Sequence, residues 1–210
     1  MFFKIEKSHF KILGMNKNAV PLIYFLNIFF SKSDSIYSNI VYMSVEGFSQ
    51  YVYGEKSKNK KFRDSIVSTL IKLKEIGVIN FKGDLKDHRE FLSFNFIDNI
   101  NSNFVKIEEY EYKALYDKCN EDAISYDLIT LYSFIKSRMY YSSDIDEYSN
   151  VSISYGLIKE VLGIKSNSTI KSYIDYLKES KLIDVVRVYE DSPTSRNFKS
   201  KNIFKLRKLL

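Results

Sequence analysis

The chain has 210 residues, of which 45% are hydrophobic and 28% charged, proportions at which a packed core forms and wholesale disorder is excluded. That length accommodates one large domain or two small ones. The net charge is +6 at neutral pH, but proline is nearly absent while Lys, Asn, Ile, Tyr and Phe abound. This is the coding bias of an AT-rich genome, so where the cations sit carries more information than their sum. The single cysteine, Cys119, excludes an intrachain disulfide and fits a reducing, cytoplasmic setting.

In chain order, Phe3-Lys4-Ile5-Glu6 opens the sequence. Ala19 to Phe30 is apolar and charge-free, but it is too short to span a bilayer, contains Pro21 and Asn27, and is followed by no small-residue cleavage site. It reads as a core helix over Pro21 to Phe30. A second helix is predicted over Phe48 to Tyr53, closed by Gly54, and a third over Phe62 to Ile76. Val78 to Phe81 and Phe91 to Phe96 then flank the polar tip Lys82-Gly83-Asp84-Leu85-Lys86-Asp87-His88-Arg89, the pattern of a β-hairpin. Asp98 to Asn103 has no apolar period and marks a boundary between a domain over 1–99 and another over 104–210.

Val105-Lys106-Ile107-Glu108 repeats the opening, and at the same offset Phe10-Lys11 aligns with Tyr112-Lys113 and Leu13 with Leu115. Further on, Ile66, Leu70, Leu73-Lys74-Glu75 and Val78-Ile79 pair with Ile170, Ile174, Leu177-Lys178-Glu179 and Leu182-Ile183, at an offset two residues larger. Two blocks in the same order at nearly the same offset indicate an internal duplication. In the second copy Leu128, Leu131, Tyr132, Ile135 and Met139 line one helical face. Ser154 is a candidate N-cap before Leu157, Ile158, Val161 and Leu162, and Gly163 supplies the turn that ends that helix. After Lys165-Ser166-Asn167-Ser168 a third helix carries Ile170, Ile174 and Leu177. Val185, Val186 and Val188 read as a strand returning over Asn202 to Leu206, with Asp191 to Ser195 as the turn. The predicted fold class is α+β, mainly helical, with two tandem winged helix-turn-helix domains.

In a helix-turn-helix the third helix meets the major groove by its N-terminal end. In the first copy that place holds Lys56, Lys58, Lys60, Lys61 and Arg63, with Ser65 beyond. A solvated charge run would look the same; its position favours phosphate binding. The second copy presents Lys165, Ser166, Asn167, Ser168, Thr169, Lys171 and Ser172, a set suited to base edges and phosphates, although Ser and Asn here serve equally as caps. The hairpin tip adds Lys82, Lys86 and Arg89. From Arg196 onward Lys199, Lys201, Lys205, Arg207 and Lys208 occur without an acid, as in a basic wing strand. Glu108, Glu109, Glu111, Asp117, Glu121, Asp122, Asp144, Asp146 and Glu147 gather elsewhere in the second copy. This segregation orients a protein on a polyanion and equally suits a protein-binding surface. The first copy is thus expected to grip phosphates and the second to read bases.

His9 and His88 are too few and too isolated for a metal triad, and His88, at the hairpin tip, is expected to meet phosphate or solvent. No GxxxxGK[ST], GxSxG or HExxH pattern occurs, so neither catalysis nor a cofactor is expected. The acidic pairs are assigned to solvated helix faces, and Tyr140, Tyr141, Tyr173 and Tyr176 to core or interface packing.

The tandem modules, each opening like Phe3-Lys4-Ile5 or Val105-Lys106-Ile107 and ending in Leu-Lys-Glu-x-x-Leu/Val-Ile, resemble the replication initiators of plasmids and phages of low-GC bacteria. The resemblance implies a sequence-specific protein of double-stranded DNA that occupies directly repeated origin sites. One module would contact successive major grooves, and the other would bind DNA or mediate self-association. Such a protein recruits host replication proteins and neither cuts nor unwinds DNA itself. A transcriptional or conjugation-accessory regulator with the same tandem fold is the second reading, and a protein-interaction adaptor the third. No membrane partner is expected.

Overall fold

The computed structural model describes residues 2–10, 16–32, 40–96, 104–143, 147–190 and 199–207. In chain order the described elements are β1 (Phe2–Glu6), α1 (Ala19–Lys32), β2 (Ile40–Ser44), α2 (Val45–Tyr53), α3 (Lys60–Glu75), β3 (Ile79–Lys82), β4 (Phe91–Phe96), β5 (Phe104–Glu108), α4 (Glu109–Glu121) and α5 (Asp127–Ser137). There follow β6 (Tyr141–Ser142), β7 (Glu147–Tyr148), β8 (Val151–Ser152), α6 (Tyr155–Leu162), α7 (Asn167–Glu179), β9 (Ile183–Glu190) and β10 (Lys199–Leu206). The protein is α+β, and its chain divides into two compact units. One is continuous, Asn16–Asn103; the other is split, Met1–Met15 with Phe104–Leu210.

The expected domain over 1–99 is therefore corrected at its start, and the repeated opening supplies the reason. β1 pairs antiparallel with β5, with Phe3 opposite Ile107, Lys4 opposite Lys106 and Ile5 opposite Val105. Side chains alternate across a strand, so Phe3, Ile5, Val105 and Ile107 share one face, and all four are buried. Phe3 meets Tyr112 of α4 edge to face at 5.9 Å, and Phe10 meets Phe134 of α5 at 5.7 Å. On the other face the Lys4 ammonium lies over the Phe104 ring at 4.6 Å and the Lys106 ammonium over Phe2 at 4.3 Å. The two copies of the motif thus grip each other about a local two-fold, and the apolar face of the ribbon is buried in the split unit.

In the continuous unit α1 buries Leu22, Ile23, Tyr24 and Leu26, which places more than one side of the helix in the core. Among the described residues no helix is long and apolar enough to cross a membrane. The Ser44 hydroxyl accepts the Gly47 N–H at 3.0 Å and caps α2. Ile66, Leu70 and Leu73 turn one face of α3 inward, while Ile79, Leu92 and Phe94 do the same from a sheet ordered β2-β4-β3. Phe48 packs against Phe94 edge to face at 5.0 Å.

The split unit repeats the order strand, helix, helix, strand, strand, and its sheet is ordered β8-β10-β9, again with the last strand central. Every residue of α5 from Leu128 to Ser137 is buried. Ser154 caps α6 by accepting the Leu157 N–H at 3.1 Å. Gly163 ends that helix in the left-handed region at φ 68°, where a side chain is penalised. The helix and hairpin spans read from periodicity are found within a few residues, whereas α4, β2, β8 and the β6–β7 hairpin were not anticipated.

One further expectation is corrected. Glu111 is not on a solvated face: it is 4% exposed, its carboxylate accepts both 2.6 Å and 2.7 Å bonds from the Lys136 ammonium, itself 3% exposed, and it also accepts from the Tyr132 hydroxyl and from Glu108 N–H. Burial is tolerable for such a pair because each charge has its counter-charge and hydrogen bonds. Tyr140 is 74% exposed and Tyr141 46%, so neither is core, whereas Tyr173 is buried. Lys11, Leu13, Asp98 to Asn103, Asp144, Asp146, Asp191 to Ser195, Arg196 and Lys208 lie outside the described residues.

Candidate nucleic-acid interface

The lysine run of the continuous unit is shaped by local hydrogen bonds. Gly54–Lys58 forms a 3₁₀ turn, and Asn59 caps α3 by accepting the Lys61 N–H at 2.9 Å. Helix α3 therefore begins two residues before the expected Phe62, bringing Lys60 and Lys61 into its first turn. Lys56, Lys58, Lys60 and Lys61 are exposed. Lys58 pairs with Glu55 at 3.3 Å, but both side chains are at least 85% exposed, so the pair holds little and leaves the lysine available to phosphate.

Arg63 and Ser65 are placed differently. Arg63 Nη1 donates to the Lys58 carbonyl at 3.1 Å and reaches the Ser57 carbonyl at 3.4 Å, so it anchors the turn that presents the lysines. The Ser65 hydroxyl accepts from Asn18 Nδ2 at 2.7 Å, and the Tyr53 hydroxyl donates to Asn18 Oδ1 at 2.5 Å. Asn18 is fully buried, and burial pushes the Tyr53 phenol up. Ser65 thus belongs to a network beneath α3.

The hairpin tip is folded back. Asp84 and Asp87 carboxylates accept the Lys86 and Arg89 N–H groups, each at 2.9 Å, and Glu46 N–H at the start of α2 donates to the His88 carbonyl at 2.8 Å. His88 Nε2 lies 3.7 Å from Asp64 of α3, with its side chain 20% exposed, so it is mostly withdrawn from solvent. Lys82, Lys86 and Arg89 are exposed, and Arg89 is 3.6 Å from Glu46.

In the split unit Ser166 caps α7 by accepting the Ser168 N–H at 3.2 Å, and the two hydroxyls bond each other. The cap role weighed for Ser166 is the one it fills. Lys165, Asn167, Ser168, Lys171 and Ser172 are exposed and Thr169 is half-buried, all around the N-terminal half of α7. Lys199 lies in β10, where only its backbone is described. Arg207 is held by Asp184 through two 2.6 Å contacts; that hydrogen-bonded pairing lowers the Asp184 carboxyl and raises the guanidinium. Arg207 is thus a partner of β9 rather than a free phosphate contact. Several of the acids flanking this unit are likewise paired, Glu109 with Lys113 and Asp122 with Lys118, each at 2.7 Å.

A groove of about 880 Å³ runs between α7, the start of α6 and the sheet, and its lining includes Lys171, Asp175, Lys178, Arg187 and Asn202. The last four were not among the predicted contact residues. Lys171, Asp175 and Lys178 recur at i, i+4, i+7, the one signal that placed them together; Arg187 and Asn202 join them only through the pairing of β9 with β10, where they lie opposite each other.

A solved structure of the Pi initiator protein in complex with iteron DNA matches this chain along its length, covering 99% of it and 98% of that chain, at 12% identity and a TM-score of 0.52. The fold resembles that of the Pi initiator protein. No family model matches the chain, and no curated protein matches it. At this identity the likeness shows the fold; the charges and hydrogen bonds above are what this chain itself brings to it.

Proposed function

We propose that this chain is a sequence-specific double-stranded DNA-binding protein of the replication-initiator kind, composed of two tandem winged-helix modules descended from one duplicated unit. The observation that carries the reading is the whole-length likeness to a protein solved on iteron DNA. The placement of exposed lysines at the start of α3, and of exposed Asn, Ser and Lys at the start of α7, supports it, because these are the ends that meet phosphates and base edges in this class of module. The continuous unit supplies phosphate contacts through Lys56, Lys58, Lys60 and Lys61, and the split unit reads bases from α7. On this reading the protein acts at repeated origin sites in a plasmid or phage of a low-GC host, in the cytoplasm. It recruits host replication proteins or self-associates, and has no catalytic step or cofactor of its own.

Selection of bound fragments from a random duplex pool, followed by a salt titration on the selected site, tests this. A repeated motif with affinity falling steeply as salt rises is the expected result. Retention of no motif, or binding indifferent to salt, refutes it.

A further inference from the structure

The two third helices present equivalent outward lines of residues, and these lines differ in a way that bears on base choice. In α3 the core face is Ile66, Leu70 and Leu73, and in α7 it is Ile170, Ile174 and Leu177, aligned at one constant offset. On the opposite side, at helical spacing, stand Asp64, Ser68, Ile71 and Glu75 in α3, and at the same offset Ser168, Ser172, Asp175 and Glu179 in α7. Ser68 matches Ser172 and Glu75 matches Glu179, as expected of copies of one ancestor. The first and third pairs do not match: Asp64 stands where α7 has Ser168, and Ile71 where α7 has Asp175. Asp64 is partly occupied by His88. Ile71 is 42% exposed, an aliphatic side chain facing outward from a helix otherwise well partitioned. Asp175 is half exposed, lies 3.8 Å from Lys178, and is the carboxylate in a groove whose other charged lining groups are Lys171, Lys178 and Arg187. Those cations offset the repulsion between a carboxylate and phosphate.

Resting on the proposed DNA-binding reading, and adding one base contact to the phosphate grip of the continuous unit, we infer that the equivalent positions 71 and 175 set the different base preferences of the two modules, Ile71 selecting thymine and Asp175 selecting cytosine. The chemistry follows from the major-groove edges. Thymine alone presents a methyl group, which an aliphatic side chain buries, and cytosine presents an N4 amino donor, which a carboxylate accepts. Both positions fall about one turn beyond the matched serines and two to three turns from the helix starts, so they reach bases where the helix lies along the groove instead of entering it by its end alone. The bound site is then asymmetric: its two half-sites differ at the base pair met by this position, with T in one and C in the other.

The test is selection from a random duplex pool with the full chain and with Ile71→Ala, Asp175→Asn and Ile71→Asp, after circular dichroism confirms that each is folded. Asn pairs with adenine's N6 and N7, so Asp175→Asn is expected to change C to A in one half-site by about tenfold or more and leave the other unchanged. Ile71→Ala should lose the T preference in the opposite half-site alone, and Ile71→Asp should replace that T by C and make the half-sites alike. If the unaltered chain selects a motif and the variants select the same one, the inference is overturned while the DNA-binding reading stands. A uniform gain in affinity on removing Asp175, without change of motif, also overturns it, since the carboxylate would then act only by repulsion. If the unaltered chain selects nothing, the underlying reading has failed instead.

Discussion

Replacing Lys136 by Met leaves the Glu111 carboxylate 4% exposed with no counter-charge at contact distance among the described residues. The carboxylate would lose two short bonds, 2.6 Å and 2.7 Å, and keep those from the Tyr132 hydroxyl and Glu108 N–H. Breaking a buried pair from one side costs about 3–5 kcal/mol, and the two surviving donors put the expectation at about 3 kcal/mol. Domain stabilities are about 5–15 kcal/mol, so this is a large fraction of the total. The double variant Glu111→Leu/Lys136→Met removes both charges from the core and should return to within about 1 kcal/mol of the parent. Urea unfolding followed by far-ultraviolet circular dichroism on the parent, both single variants and the double variant gives the coupling energy directly. A cost below about 1 kcal/mol for Lys136→Met, or a double variant as unstable as the sum of the singles, refutes the reasoning. A further variant, Glu111→Gln, should also change the pH response. Burial holds Lys136 below the ordinary lysine range, opposed by Glu111. In Glu111→Gln that opposition is gone and the native lysine falls further, while the unfolded lysine stays near its ordinary value. The unfolded chain then binds more protons at any pH between the two values, so stability of this variant rises with pH across that window.

Two other outcomes are expected. Gly163 has φ 68° and open space where a Cβ would stand, so Gly163→Ala should cost about 1 kcal/mol through backbone strain alone, read as a lower denaturation midpoint with an unchanged slope. Burial pushes the Cys119 thiol from 9.0 up to about 12, so its contribution is intact below pH 9 and lost as pH rises toward 12. The unmodified chain should lose about 1.4 kcal/mol per pH unit in that window relative to Cys119→Ala; parallel stability curves for the two proteins would contradict the burial argument.

Local chemistry was legible in the sequence. The apolar spacing of Ile170, Ile174 and Leu177, the cap at Ser154, the stop at Gly163 and the hairpin around Lys82 to Arg89 each depend on residues a few positions apart, and each stands where it was read. So did the repeated openings, because identity at a fixed offset needs no geometry to detect. What those openings do was decided by tertiary structure: β1 and β5 are distant in sequence yet pair residue for residue, moving the first fifteen residues into the unit of the second half. The site was divided in the same way. Exposure of Lys56, Lys58, Lys60 and Lys61 follows from composition and position. The withdrawal of Ser65 to Asn18, of Arg63 to the turn carbonyls and of Arg207 to Asp184 does not. A charge run fixes how much cation is available, but only the folded chain fixes which cations are already engaged, because a hydrogen bond or ion pair depends on distances between groups that the chain brings together from far apart. Glu111 and Lys136 make the same point from the core: read along the chain they are two more charged residues on helices, and folding alone made them each other's partner.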